Sequence, residues 1–328
     1  MLNKQKLMAL SHLVFHCGFL SDRDTVLIIC NPKTEAIARG LEKIALSLSS
    51  NVDVDVISDL AIHGSEPPNE TEKKMLKSTL IICLTKMSLA HTKARFRSTV
   101  NGSRFLSLPD FSDEILVSPA LMTDFHKEFD IVDAFTKKLS DGRRVTITSD
   151  LGTKLTADIV GRSGNCCPGF VKEPGDLGSP PDIEANISPI EEKSSGQIVV
   201  DGSIACPEIG LLGQPVILTI KDGLIKKWFS ENKDTIAALD KMFNSISDRR
   251  TRYLAEIGIG LNPNAQLTGS MLTDEGALGT MHFGFGSNST VGGVNNVPFH
   301  LDFVIRDATL EIDGECLINQ GSIELAPS

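Results

Sequence analysis

At 328 residues the chain is longer than a single hydrophobic core usually grows, so two domains are expected. With 41% apolar and 23% charged residues it has a globular composition, which excludes disorder and collagen-like repeats. The formal net charge of −10 comes without a Lys/Arg cluster, so nucleic acid is not an expected partner, and no uncharged apolar run approaches the ~20 residues needed to cross a bilayer, so neither is a membrane.

The opening Met1-Leu2-Asn3-Lys4-Gln5-Lys6 leads into a segment carrying His12 and His16 rather than an unbroken apolar stretch, and the expected location is cytoplasmic. The spacing of Leu7, Leu10, Leu13 and Val14 predicts a helix over 4–19. The apolar run 25–30 ends in Asn31-Pro32 and predicts a strand, after which 34–48 returns to helical period. Further strands are expected at 52–57, 79–84 and 104–108, with a helix at 89–100. The simplest assembly is a doubly wound parallel sheet, an α/β domain spanning 1–135.

After a helical stretch at 128–139 the pattern changes to short strands parted by Gly, Asp and Asn, at 144–148, 154–160, 197–201, 216–221 and 224–229. One long helix at 232–246 interrupts them. The expectation is a strand-rich, mixed α+β metal-binding domain over 136–328, so that the fold class is α/β plus α+β. The Gly- and Pro-rich region 161–190 reads as a functional loop. The seven cysteines are odd in number and irregular in spacing, which points to reduced thiols, with Cys17, Cys30 and Cys83 in the core and the adjacent pair Cys166-Cys167 packed in a loop.

The densest group of potential metal ligands lies between 256 and 302. It comprises Glu256 in Ala255-Glu256-Ile257-Gly258-Ile259-Gly260-Leu261-Asn262-Pro263, Glu275, His282 in Gly279-Thr280-Met281-His282-Phe283-Gly284, and His300-Leu301-Asp302. Imidazole with carboxylate suits Zn, Fe, Mn or Co, so a divalent metal ion held by Glu256, His282, His300 and Asp302 is expected. A period of two on a strand aims His300 and Asp302 to one face, and the Gly-rich flanks permit close backbone approach. Gly284-Phe285-Gly286 and Gly292-Gly293 lack the strand-to-helix context of a phosphate loop, and no Gly-x-Ser-x-Gly occurs.

These segments, in this order, resemble the metallo-aminopeptidases of the aminopeptidase T and aminopeptidase S type, together with their relative 2,5-dihydroxypyridine 5,6-dioxygenase. In the aminopeptidases the resemblance implies a two-metal cluster with Glu256 bridging and Glu275, His282, His300 and Asp302 as ligands. It also implies a homodimer and a peptide or small-molecule substrate. The family's Gly-Glu-Val loop glutamate is matched here to Asn165-Cys166-Cys167-Pro168-Gly169-Phe170-Val171, so Phe170 stands where that carboxylate is expected. A single metal then follows, with Phe170 lining an apolar side of the pocket and Glu173 as a candidate replacement.

The leading expectation is a metal-activated water attacking a peptide or small amide bond, with Glu275 or Glu256 shuttling the proton. The alternative implied by the dioxygenase branch is Fe(II)-dependent ring cleavage of a hydroxylated pyridine-like substrate, using His282, His300 and Asp302 as a 2-His-1-carboxylate set. His91 then falls where that branch has an acid–base histidine, and the two domains are expected to meet across the active site. The departure at Phe170 keeps a third reading, a non-catalytic binding protein on the same scaffold.

Overall fold

The computed structural model describes residues 4–326, which divide into two compact units. The first comprises the chain up to His126 together with Cys167–Pro181; the second comprises Lys127–Cys166 and everything from Asp182 onward. The expected single boundary at 135/136 falls inside the continuous helix Phe125–Asp141, and the Gly/Pro-rich stretch turns out to be shared between the units.

In the first unit five parallel strands run in the order Asn51–Val56, Thr25–Cys30, Leu80–Leu84, Arg104–Ser107 and Leu177–Gly178. The continuous apolar runs in the central strands follow from burial on both faces, as parallel sheets require. Leu27, Ile29, Ile81, Cys83 and Phe105 form one side of a core completed by Met75, Leu89 and Ala94. Asn31 closes the first strand because its amide donates to the Ile57 carbonyl at 2.9 Å and accepts from the Lys86 amide at 2.6 Å, joining three strand ends. The N-terminal helix Lys4–Ser11 continues as a π-turn over His12–Cys17, and the helix expected at 89–100 begins only at Lys93, capped by the Thr92 side chain.

The second unit holds two sheets. One has eight antiparallel strands in the order Leu224–Phe229, Val216–Lys221, Ser194–Val200, Lys154–Asp158, Arg144–Thr148, Thr309–Ile312, Glu315–Asn319 and Ser322–Ile323. Its hairpins turn at Asp222-Gly223 and Asp313-Gly314, where both residues of each pair take positive φ, the backbone that a two-residue turn demands. The other sheet has seven strands in the order Gly210–Leu211, Ser203–Ile204, His300–Arg306, Thr280–Gly286, Leu254–Gly260, Glu184–Ile187 and Asn165–Cys167.

The second sheet explains itself by alternation. Ile257, Ile259, Met281, Phe283, Phe285, Leu301, Phe303 and Ile305 are buried on one face, where Phe243 of the helix Lys233–Asn244 packs against Phe303 with ring centroids 6.4 Å apart. The intervening positions carry the Gly, Glu, His and Asp residues, and apart from His300 they too are buried. No helix among the described residues is long and apolar enough to cross a membrane, and no disulfide joins the described cysteines; Cys17, Cys30 and Cys83 are buried.

Candidate metal centre

Four neighbouring strands of the seven-stranded sheet place the polar residues in register. Glu184 lies opposite Gly260, Asn186 and His282 both lie opposite Gly258, Glu256 and Asp302 both lie opposite Gly284, and His300 lies opposite Gly286. Every ligand candidate therefore faces a glycine across the ladder. The reason is steric: a Cβ on Gly258 would sit 2.0 Å from the His282 ring, and one on Gly284 would sit 2.6 Å from His300 Nε2. The imidazoles lie flat across their neighbour strands only because those positions have no side chain.

Both imidazoles are oriented the same way. His282 Nδ1 lies 3.2 Å from the Glu275 carbonyl oxygen, and His300 Nδ1 lies 2.8 Å from that of Ser287. A carbonyl can only accept, so each Nδ1 carries the hydrogen and each Nε2 of a neutral ring presents a lone pair. Those Nε2 atoms face carboxylates: His282 lies 2.9 Å from Glu184 and 4.0 Å from Glu256, and His300 lies 3.2 Å from Asp302 and 3.5 Å from Glu256. Acceptor is set against acceptor unless a proton or a cation stands between them.

The electrostatics report the same deficit. Burial would lower both histidines, yet the carboxylates around them raise His282 well above its usual value and push His300 up to about 10. Burial would raise Asp302, but the imidazole of His300 draws it down to about 2. Glu275 and Asp182 are pushed well above the usual carboxylate range, first by burial and then by Asp302 and Glu184 respectively, and burial raises Glu256 as well. Of the four buried side-chain atoms without a hydrogen-bond partner among the described residues, three are carboxyl oxygens of this cluster: Asp182 Oδ1, Glu184 Oε2 and Glu275 Oε1. The Glu184 oxygen is close to His282 but misaligned for a hydrogen bond.

Buried charge of one sign, paired acceptors and orphaned oxygens fit a divalent cation. Two groups could hold one, Glu184 with Glu256 and His282, and Glu256 with His300 and Asp302; within each, ligand atoms lie within 4.8 Å of one another, and Glu256 belongs to both. The His300 side chain is 35% exposed where the other members are nearly closed off, so the cluster opens to solvent on its side.

The structure thus brings Glu256, His282, His300 and Asp302 together, with the half-buried Glu275 behind His282 and one of its carboxyl oxygens buried. Its neighbour Asp274 is buried, but both its oxygens are saturated by donors from Ser203, Thr268, Gly269 and Thr273, so Asp274 folds the loop while Glu275 keeps an unmet oxygen. His91 belongs to the first unit, in the exposed turn ahead of the helix Lys93–Val100.

Glu184 and Asp182 were missed as site residues. The signal lay in the alternation of Asp182, Glu184 and Asn186 with Ile183, Ala185 and Ile187, the same polar-and-apolar period that marks the strands 254–306. Phe170 lies in the first unit, edge-on to His126 at 4.8 Å and 5.7 Å from Phe19, while in the second unit Glu184 brings a further carboxylate to 2.9 Å from His282. Glu173 is exposed in a turn of the first unit.

Comparison with known proteins gives the chain's relatives. A protein from Pseudomonas putida strain KT2440 described as 2,5-dihydroxypyridine 5,6-dioxygenase is 26% identical over 196 residues, 56% of this chain and 55% of that relative, so the match spans about half the relative's length. The structure of 2,5-dihydroxypyridine dioxygenase from the same strain superposes with a TM-score of 0.86 at 20% identity, covering 100% of this chain and 99% of the other. Wild-type AmpT from Thermus thermophilus superposes with a TM-score of 0.71 at 14% identity, covering 98% and 100%. At these identities the two superpositions establish the shared fold. The cofactor is a divalent metal ion, iron among those that such a nitrogen-and-oxygen donor set accepts. The family model of 2,5-dihydroxypyridine 5,6-dioxygenase matches residues 21–325, nearly the whole chain, and the protein belongs to that family.

Proposed function

We propose that this protein is an Fe(II)-dependent dioxygenase that opens a hydroxylated pyridine-like ring. The observation that carries the reading is the pair of imidazoles whose Nε2 lone pairs are turned on carboxylates by backbone carbonyls. Glu256, His282, His300 and Asp302 would hold the metal, with Glu184 beside His282 able to complete the donor set. Bound iron supplies the redox centre through which dioxygen is brought to an electron-rich ring. Around it the Ser287 and Glu275 carbonyls fix the ring tautomers, and the closed sheet face excludes water on every side but that of His300. Glu275, with one buried oxygen unmet, is the group placed to hold a proton close to Asp302. His91 keeps the acid–base role that the resemblance implies.

The hydrolytic reading draws its support from the fold alone, whereas the family match favours ring cleavage. The test is anaerobic loading with Fe(II), Mn(II), Co(II) or Zn(II), followed by parallel assays of oxygen uptake with 2,5-dihydroxypyridine and of leucyl-peptide hydrolysis. Oxygen uptake with ring loss, dependent on Fe(II) only, is the expected result. Peptide hydrolysis supported by Zn(II) or Co(II), without oxygen uptake under Fe(II), would overturn it.

A further inference from the structure

Glu184 is joined to a distant loop by two amides. Asn186 Nδ2 donates to Glu184 Oε1 at 2.7 Å, Asn165 Nδ2 donates to Asn186 Oδ1 at 2.8 Å, and the same Asn165 amide reaches the Val291 carbonyl at 3.2 Å. The polarity of this chain is forced from one end. An ionised carboxylate only accepts, so Asn186 must turn its NH2 to Glu184 and its oxygen outward, and Asn165 must then present its own NH2. Asn186 is buried, so its amide cannot exchange these partners for water without cost.

The loop at the far end, residues 287–299, lies between the His282 and His300 strands and touches the centre a second time, because the Ser287 carbonyl is the group that orients His300. Its tip is otherwise tethered away from the centre: Glu191 accepts from Asn288 Nδ2 at 2.8 Å and from the Val294 amide at 2.9 Å, and Arg162 joins Glu191 to the Gly292 carbonyl. One loop therefore holds, by its carbonyls, both the Glu184 side and the His300 side of the cluster.

We propose that Asn186 and Asn165 are positioning residues that link metal binding at Glu184 to ordering of the 288–295 loop, so that each favours the other. This rests on the metal-centre reading above. By reciprocity, whatever the metal gains from a fixed Glu184 the loop gains from the metal. The linkage also makes the loop, which leads directly into His300, the segment that senses whether the centre is loaded.

The experiment is amide hydrogen exchange over 288–295 with and without Mn(II), together with Mn(II) affinity by equilibrium dialysis, on the wild type, Asn165→Asp and Asn165→Ala. Asn165→Asp is nearly isosteric but competes with Glu184 for the Asn186 amide. The expected result is metal-dependent protection of 288–295 in the wild type, lost in both variants, with Mn(II) affinity weaker by about 10–100-fold. A purely structural role for Asn165 would instead raise exchange equally with and without metal. Wild-type exchange indifferent to bound Mn(II), or variants with unchanged affinity, would overturn the linkage without touching the centre. Wild-type protein that takes up no metal would overturn both. The wild-type arm stands even if a variant does not fold.

Discussion

The substitution Gly258→Ala tests the geometry of the centre without removing a ligand. Its new Cβ would lie 2.0 Å from Cε1 and Nε2 of His282, short by about 1.4 Å of the 3.4 Å at which ordinary contact begins. The ring has nowhere to retreat, since it is 1% exposed and its Nδ1 is bound to the Glu275 carbonyl. Overpacking of this kind costs about 1–3 kcal/mol, while a ~1 Å misplacement at a reacting centre costs about a hundredfold in rate. The expected outcome is a folded protein with a lowered melting temperature, sub-stoichiometric metal by elemental analysis and a turnover loss of about two orders of magnitude. Gly213→Ala is the control, because nothing lies within 4 Å of its added Cβ. Wild-type metal content and activity in Gly258→Ala would refute the claim that the glycine ladder positions the imidazoles.

His300→Ala and Asp302→Ala are each expected to abolish bound metal and activity while leaving a folded protein, checked by metal analysis and circular dichroism; a variant with full metal content removes that residue from the ligand set. His91→Ala is expected to lower turnover with metal content unchanged, read by steady-state kinetics on metal-loaded enzyme. Phe170→Glu is expected to leave metal stoichiometry unchanged and to destabilise the first unit by less than the ~3–5 kcal/mol of deleting a fully buried aromatic, read by denaturant melts. In that unit the buried pair of Asp24 and Arg104, 2.6 Å apart, holds the Asp24 carboxyl below its ordinary range, against burial, through donors from Thr79, Arg104 and Ser21. Because the folded value is depressed, its stabilisation is present above the unfolded value of ~3.9 and is lost as pH falls through the folded one. Asp24→Asn is expected to cost about 3–5 kcal/mol at neutral pH and progressively less in acid, measured by urea melts across pH.

The sequence made the first unit's strands legible because a strand buried on both faces is a continuous apolar run, as in 25–30 and 80–84. It also made the ligand strands legible, since 254–260, 280–286 and 300–306 alternate large apolar residues with Gly, Glu, His and Asp. The strand carrying Glu184 was obscured by its length of four residues and by the prolines before it, which made Asp182-Ile183-Glu184 resemble a turn. The π-turn at 12–17 and the late start of the helix at Lys93 depend on packing and capping that periodicity does not encode. The sharing of 167–181 with the first unit is a long-range pairing with Arg104–Ser107, decided by a sheet edge that no local pattern announces.

That excursion has a consequence for how the protein is made. A ribosome that has released the first 126 residues has not supplied the strand Leu177–Gly178, which closes the edge of Arg104–Ser107. At roughly 5–20 residues per second, the stretch from 127 to 178 delays it by about 3–10 s. During that interval the nascent sheet presents an open edge whose four residues are all buried in the finished protein. Vectorial synthesis thus leaves an N-terminal unit that waits for its last strand, with its most aggregation-prone edge available to whichever chaperone or neighbouring nascent chain arrives first.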